Sequence, residues 1–293
     1  MTPNQIVFLR RLGSSVVLWG VSLTIILTGY ELGFMGLIGG LAMVGLWEYF
    51  RMLEVRGLPH FKGIGLVCGA LLNIGTFYCL KTFGPEGSYV VETAALVGLL
   101  LVIFSRQMFE GTRDGAPLES MAYTFFGLMY VPWLFGFVGK VVYLMPRDAA
   151  GHLTGHFYVL WLVLVTKFSD MGAYVTGSLC GRHLLVPHIS PKKTWEGFLG
   201  ALAFSTGGAW GLVVLIPDKL SFLQPGSAAV LGLVLGFAAV VGDLAESIVK
   251  RSAGAKDSGA FLPGIGGALD LIDSILFTAP LLFFYLRLQV SGA

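Results

Sequence analysis

The sequence has little charge. Only 12% of its 293 residues are Asp, Glu, Lys or Arg, while 55% are hydrophobic. A soluble domain usually has about 25% charged residues. This composition excludes a soluble enzyme with a single anchor and indicates a polytopic membrane protein. The net charge of +2 is too small to indicate nucleic acid as a partner.

Cysteine is also scarce, and its spacing predicts no disulfide framework. Cys68, Cys79 and Cys180 lie within or at the ends of apolar runs, where we interpret them as small hydrophobic side chains. The first apolar run is not followed by a convincing small-residue cleavage site, so we interpret it as a retained helix. No internal repeat, low-complexity tract or soluble domain is visible.

Long apolar runs are abundant, and their length predicts membrane-spanning helices. They are too long and too continuously apolar for the alternating strands of a barrel. The predicted fold class is therefore an all-α polytopic membrane protein with about nine transmembrane helices. The predicted segments are 13–30, 33–50, 62–80, 88–104, 120–143, 156–179, 197–216, 227–248 and 268–288.

Basic residues predict the orientation, because cytoplasmic loops of membrane proteins are enriched in Lys and Arg. A cytoplasmic N-terminus, with Arg10 and Arg11, places most of the other cations on cytoplasmic loops. Those are Arg51, Arg56, Lys62, Arg106, Arg113, Arg182, Lys192, Lys193, Lys250, Arg251 and Lys256. The opposite side receives Lys81, Lys140, Arg147, Lys219 and Arg287. An odd number of helices then puts the C-terminus outside.

Polar residues divide the chain unevenly. Residues 1–150 carry few of them and are predicted to be an N-terminal transmembrane scaffold, whereas 151–293 carry the dense polar motifs of a predicted catalytic region. Glu48 is an exception in the first part. It lies one turn before Arg51, so it either forms an ion pair at the interface or helps to close an active-site cavity.

A first polar group lies late in the sixth segment, at residues 169–174. Asp170 is a functional candidate because an Asp inside an apolar helix is costly. Gly172 and Ala173 would let a neighbouring helix or a ligand approach closely. Lys167, three residues earlier, leaves open that Asp170 only forms a structural ion pair.

A second group, residues 190–197, is predicted to be a loop before the seventh segment. Its adjacent Lys192 and Lys193 would serve as counter-charges for phosphate. They would equally serve as orientation signals attracted to anionic lipid. The surrounding Ser, Thr, Trp and Glu favour the first interpretation, since an orientation signal needs only the lysines.

The densest polar stretch is residues 247–273, between the last two segments. Asp243 and Glu246 just before it share one helix face, and Asp270 and Asp273 have the same spacing at the next helix start. Opposed at one membrane interface, the two pairs would form an all-oxygen pocket suited to Mg²⁺. Alternatively, the later pair only stabilises the helix start through its dipole.

The loop between these helices, residues 254–267, is rich in glycine and contains Lys256 and Asp257. Glycines let backbone N–H groups close on phosphate oxygens. A glycine-rich loop alone is weak evidence. Its combination with two acidic pairs and the cations Lys250, Arg251 and Lys256 at fixed spacing indicates phosphate and metal chemistry at a membrane surface.

This stretch closely resembles the signature of the phosphatidate cytidylyltransferase, or CDP-diacylglycerol synthase, family. The matching residues are Ser247, Val249, Lys250, Arg251, Lys256, Asp257, Gly259, Leu262, Pro263, Gly266, Gly267, Asp270, Ile272 and Asp273. Residues 169–174 and 190–198 also resemble that family, in the right order. The resemblance covers about residues 156–285 well, and the first half only as a pattern of hydrophobic segments.

Three positions depart from the signature. Ile265 stands where the family has His, Leu271 where it has Arg, and Ala268 at an aliphatic position. The first two changes remove polar groups expected near the nucleotide or the phosphate. Every carboxylate that could bind metal remains, which favours a divergent bacterial member over an inactive relative.

The resemblance implies transfer of CMP from CTP to phosphatidic acid, with pyrophosphate released. It implies Mg²⁺ with a second cation such as K⁺, a bacterial inner membrane location, and a homodimer as one assembly. The implied metal ligands are Asp243, Glu246, Asp270 and Asp273. The implied catalytic residues are Asp243, Asp270, Asp273, Lys256 and Asp257. Phosphates and the lipid headgroup would meet Lys192, Lys193, Ser247, Lys250, Arg251, Asp170 and Tyr174.

Two other functions stay open at this point. A CTP-dependent polyprenol or phytol kinase would share the helices, the acids and the metal, but it would release CDP instead of pyrophosphate. A transporter of an anionic solute would suit the intramembrane Asp170 and Lys167. The clustering of charge on one face and the lack of a repeat disfavour the transporter.

Overall fold

The computed structural model describes residues 13, 16–17, 19–26, 28–110, 116–255, 258–259 and 266–291. Within them the helices are α1 (Glu31–Arg56), α2 (Lys62–Glu110), α3 (Pro117–Leu128), α4 (Leu134–Leu144), α5 (Gly155–Cys180), α6 (Trp195–Leu215), α7 (Pro225–Ser252) and α8 (Ala268–Ser291). A π-helical turn, Met129–Trp133, joins α3 to α4, and a 3₁₀ turn, Pro217–Lys219, follows α6.

Seven helical stretches of the described chain are long and apolar enough to cross a membrane, with Pro117–Leu144 counted as one. The predicted class, an all-α polytopic membrane protein, is thus confirmed, apart from one short β-hairpin described below. The predicted number of nine stays a prediction, because the segment 13–30 lies partly outside the described residues.

Helix α2 contains two of the predicted segments, 62–80 and 88–104. Its 49 residues would extend well beyond a bilayer core of about 30 Å at about 1.5 Å per residue. The helix is interrupted at Gly84, whose φ of 72° and ψ of −171° are not helical, and Pro85 follows. Glycine adopts a positive φ without steric cost. This kink lies between the two predicted segments.

The chain forms two compact units. The first comprises residues 1–139 and 252–272, and the second comprises 140–251 and 273–293. Helix α8 therefore begins in the first unit and continues in the second. The predicted functional division at residue 150 stays a prediction. A core cluster of the first unit consists of Phe61, Leu72, Leu99, Ile103 and Leu128.

Close helix packing in the second unit depends on small residues. A Cβ on Gly172 of α5 would overlap the backbone carbonyl of Gly200 on α6. The predicted role of Gly172 in close helix approach is therefore confirmed. Farther along the same helix pair, the indole N–H of Trp161 donates to the Ala209 carbonyl at 3.2 Å.

A short antiparallel hairpin precedes α6, with strands β1 (Leu184–Val186) and β2 (Ser190–Thr194). The prediction of a loop over 190–197 is therefore wrong: residues 190–194 form a strand and 195–197 begin a helix. Polar residues outside an apolar span still need partners for their backbone groups, and the paired strand supplies them.

Candidate metal and phosphate site

Three carboxylates converge in the second unit. Asp243 and Glu246 lie on α7 and Asp273 on α8, with one oxygen of each within 4.8 Å of the others. The helices approach closely at Gly242, where a Cβ would lie 2.8 Å from the Asp273 carbonyl oxygen and 2.9 Å from Ser274 Cα. The structure therefore brings together three of the four residues predicted as metal ligands.

Lysines accompany this cluster. Lys193 Nζ of β2 lies 2.7 Å from Asp243 Oδ2, and Lys250 Nζ lies 2.6 Å from Glu246 Oε2. Glu246 is 2% exposed and Asp273 is 7% exposed. Like charges held together away from water need positive charge nearby. An all-oxygen donor set is what Mg²⁺ prefers, so these side chains fit the predicted metal.

Asp270, the fourth predicted ligand, makes a different contact. Its Oδ2 accepts a hydrogen bond from the Gly267 backbone N–H at 2.9 Å. This reach from the third helical residue to the residue before the helix is one half of a capping box. The contact matches the alternative interpretation of Asp270 as a residue that stabilises the helix start. Its role as a metal ligand stays a prediction.

The hairpin distinguishes the two adjacent lysines. The Lys193 side chain is 22% exposed and pairs with Asp243, whereas Lys192 is exposed. Successive side chains of a strand point to opposite sides, so the two ammonium groups do not share one environment. Lys193 is therefore the better placed of the two for a role beside the acids.

The residues that follow the lysines hold the hairpin and α6 together. Thr194 caps α6, since its Oγ1 accepts from the Gly197 N–H at 3.1 Å. Glu196 Oε2 accepts from the backbone N–H groups of Arg182 at 3.1 Å and His183 at 3.3 Å. These polar residues, which favoured phosphate binding in the sequence, position the strand that carries Lys193.

Asp170 forms the ion pair that the sequence left open. Lys167 Nζ donates to its Oδ2 at 2.9 Å, and both side chains are partly exposed. Tyr174, one turn later, is 76% exposed. The proposed contacts of Asp170 and Tyr174 with a lipid headgroup stay predictions.

The remaining predicted residues lie at or after the end of α7. Ser247 is half-buried and Arg251 is exposed. Lys256 and Asp257 lie outside the described residues, as does Ile265. Their predicted roles are untested.

Glu48 is a residue whose main contact sequence reasoning missed. It is fully buried, and its Oε2 accepts a hydrogen bond from the Leu269 N–H at 2.9 Å. Arg51, the partner considered in the sequence, places its guanidinium 5.1 Å from the centre of the Trp47 ring. Because Glu48 and Leu269 are 221 residues apart, no local sequence pattern indicates their contact.

The fold and this cluster define a multi-pass membrane protein with carboxylates and lysines gathered in its second unit. The profile of the cytidylyltransferase family matches residues 9–289, and the chain belongs to that family.

Individual relatives agree with this membership. The phosphatidate cytidylyltransferase of Mycobacterium leprae is 38% identical over 250 residues, which cover 83% of this chain and 76% of the relative. That of Synechocystis is 31% identical over 307 residues, covering 95% and 96%. The uncharacterised protein YnbB of Escherichia coli is 31% identical over 288 residues, covering 95% and 89%. The family resemblance drawn from the motifs is confirmed.

Proposed function

We propose that this protein transfers CMP from CTP to phosphatidic acid, giving CDP-diacylglycerol and pyrophosphate. The observation that carries the proposal is the carboxylate–lysine cluster of Asp243, Glu246 and Asp273 with Lys193 and Lys250, in a chain of the cytidylyltransferase family. The named relatives from Mycobacterium leprae and Synechocystis support the same substrates.

The reaction requires cations near the reacting phosphates more than it requires a nucleophilic side chain. An oxygen of the lipid phosphate attacks the α-phosphorus of CTP and forms a new P–O bond. The bond from that phosphorus to the bridging oxygen breaks, and pyrophosphate leaves with the electron pair. Both reactants are anions, so cations must offset their repulsion and the charge that develops on the leaving group.

Lysines of the cluster suit this task. Lys193 and Lys250 each lie against a carboxylate in the structure. An ammonium on a flexible stem can turn from a carboxylate to a phosphate oxygen and donate charge-assisted hydrogen bonds. We assign phosphate contacts to these two first, then to Lys192, Ser247 and Arg251. Lys256 would bind phosphate, and Asp257 would orient Lys256 or join the metal ligands.

We propose Mg²⁺ as the metal, held by Asp243, Glu246 and Asp273, with Asp270 as a further proposed ligand. When bound, Mg²⁺ would neutralise phosphate charge and stabilise the leaving pyrophosphate. A second cation such as K⁺ remains part of the proposal without assigned residues. The carboxylates themselves keep the site polar and orient the neighbouring lysines.

The proposed setting is the cytoplasmic face of a bacterial inner membrane, with the N-terminus in the cytoplasm. The distribution of Lys and Arg supports it, and CTP is available on that side. Asp170 and Tyr174 would line the entry of the lipid headgroup. The exposure of Tyr174 is consistent with contact to lipid. Assembly as a homodimer stays a prediction.

The test is a membrane assay with phosphatidic acid and CTP labelled in the α-phosphate. We expect labelled CDP-diacylglycerol and one pyrophosphate per product, and EDTA should abolish both until Mg²⁺ is restored. Membranes that carry the empty vector are the control. Formation of CDP with a phosphorylated polyprenol or phytol would instead identify a kinase. No lipid product from any of these acceptors would reject the proposal.

A further inference from the structure

Helix α8 has a glycine at its N-cap position. Its first residue is Ala268, and the preceding residue, Gly267, has no side chain to offer. The first N–H groups of any α-helix lack partners within the helix and need others. A buried helix start without them would be costly.

Glu48 of α1 supplies the missing acceptor. Its Oε2 receives the Leu269 N–H at 2.9 Å, and its carboxylate also receives a backbone hydrogen bond from Ala268. Asp270 completes the arrangement from within α8 by accepting the Gly267 N–H at 2.9 Å. Glu48, which is far away in the sequence, thus takes the place of the N-cap side chain of a capping box, and Asp270 supplies the other half.

The close packing around Gly267 leaves room for the Glu48 carboxylate but not for a side chain at position 267. A Cβ on Gly267 would lie 2.6 Å from Glu48 Oε2 and would overlap the Ser258 hydroxyl. A Ser, Thr or Asp at position 267, the usual choice for a helix start, would therefore collide with Glu48. Similarly, a Cβ on Gly259 would overlap Glu48 Oε1. The two glycines leave room for one carboxylate.

The contact also explains why a fully buried acid is tolerated in α1. A buried carboxylate is costly unless hydrogen bonds and positive charge compensate it. Backbone N–H groups at a helix N-terminus provide both, through direct hydrogen bonds and through the helix dipole. Loss of the carboxylate would in turn leave buried N–H groups without an acceptor.

We propose that Glu48 is a positioning residue for the acids of α8. Its carboxylate fixes where α8 starts and holds the first turn, which carries Asp270; Asp273 follows within the next turn. Successive helical residues are rotated by about 100°, so a shift of the whole helix by one residue against its neighbours would redirect these carboxylates. This consequence for catalysis rests on the proposed function.

The test compares Glu48→Gln and Glu48→Ala with a control on the same helix, Glu54→Gln. Glu54 is also a glutamate of α1, but its side chain is 59% exposed and pairs with Lys62 at 2.6 Å. Three quantities are measured on purified protein in micelles: hydrogen exchange of a peptide covering 266–274, Mn²⁺ binding by electron paramagnetic resonance, and the Mg²⁺ dependence of CDP-diacylglycerol formation.

We expect Glu48→Ala to exchange faster at 266–274 and to bind Mn²⁺ more weakly. Loss of a residue that orients metal ligands typically lowers metal affinity or activity by about 10- to 100-fold. Glu48→Gln keeps one acceptor oxygen and should show an intermediate change. Glu54→Gln should match the wild type in all three measurements.

Two results would overturn the proposal. One is a folded Glu48→Ala protein with wild-type exchange and metal binding. The other is a Glu48→Ala protein that fails to fold while Glu48→Gln matches the wild type, which would make the role structural only. A wild-type protein that lacks the transferase activity would reject the proposed function, while the exchange and Mn²⁺ measurements would still test Glu48.

Discussion

This protein surrounds its carboxylates with two different kinds of hydrogen-bond donor. In the first unit, Glu48 receives backbone N–H groups, including that of Leu269. In the second, Asp243 and Glu246 face lysine side chains, with Asp273 beside them. Backbone donors are fixed in place, whereas ammonium groups on flexible stems can change partner. The first arrangement suits permanent structure, and the second suits a site that exchanges metal and phosphates.

Glu92 adds a second example of the structural kind. Its Oε2 accepts a hydrogen bond from the Trp133 indole N–H at 3.1 Å. Asn73 and Thr76 lie with them around a small cavity of the first unit. The Trp133 indole that donates to this acid is neutral, in contrast to the lysines of the second unit. We therefore expect that removing a carboxylate charge lowers the activity strongly in the cluster of the second unit and only slightly at Glu92.

The largest effect is expected for Asp273→Asn. The amide keeps the size of the side chain but removes a charge from the proposed metal site. Loss of one such electrostatic contribution typically costs about 10²- to 10³-fold in rate. The measurement is the rate of CDP-diacylglycerol formation per amount of inserted protein. Asp218→Asn, an exposed acid in the 3₁₀ turn, is the control, and full activity of Asp273→Asn would refute the metal assignment.

A smaller effect should separate the two adjacent lysines. Lys193→Met removes the ammonium beside Asp243, and we expect an activity loss of about 10-fold or more, as for other residues that support a metal site. Lys192→Met, at the exposed neighbour, should lose less activity, by a factor of about 3, because a contact made at the surface contributes less than about 1 kcal/mol. Initial rates at several CTP concentrations provide the check. Equal losses would show that the hairpin does not distinguish the lysines.

Gly242→Ala tests the close approach of α7 and α8. The new methyl group would lie 2.8 Å from the Asp273 carbonyl oxygen. Overpacking of this kind typically destabilises by about 1–3 kcal/mol. We expect a lower melting temperature and a higher Mg²⁺ requirement. Gly211→Ala on α6, where a Cβ meets nothing within 4 Å, should be neutral or stabilising, and the same behaviour from both variants would contradict the prediction.

The smallest effect on activity is expected for Glu92→Gln. The amide oxygen can still accept from Trp133, so the stability cost should be about 1 kcal/mol. The activity per folded protein should stay within about 2-fold, since Glu92 is not one of the residues assigned to metal or phosphate. Melting curves and the transferase assay measure the two. A loss of activity as large as that of Asp273→Asn would show that Glu92 also contributes to catalysis. It would contradict the difference that we infer between the two units.

Local sequence patterns were sufficient to predict the features that depend on residues close together in the chain. Apolar length was sufficient for the membrane helices, and the three-residue spacing of Asp243 and Glu246 placed them on one face. The hairpin was missed because its strands are short and polar. The link from Glu48 to Leu269 was missed because a tertiary contact over 221 residues has no sequence period. Asp270 illustrates the intermediate case, since its helix-start contact was one of two interpretations left open.

The contact between Glu48 and α8 also has a consequence for how the chain is made. Helix α1 is synthesised early and carries its carboxylate into the bundle long before α8 exists. Until residues 268 and 269 arrive, that acid lacks the backbone donors that later compensate it. Formation of α8 therefore compensates the free-energy cost of burying the Glu48 carboxylate, which was synthesised much earlier. A chain truncated before α8 would leave the Glu48 carboxylate without these hydrogen bonds, and we expect it to be less stable than the full chain.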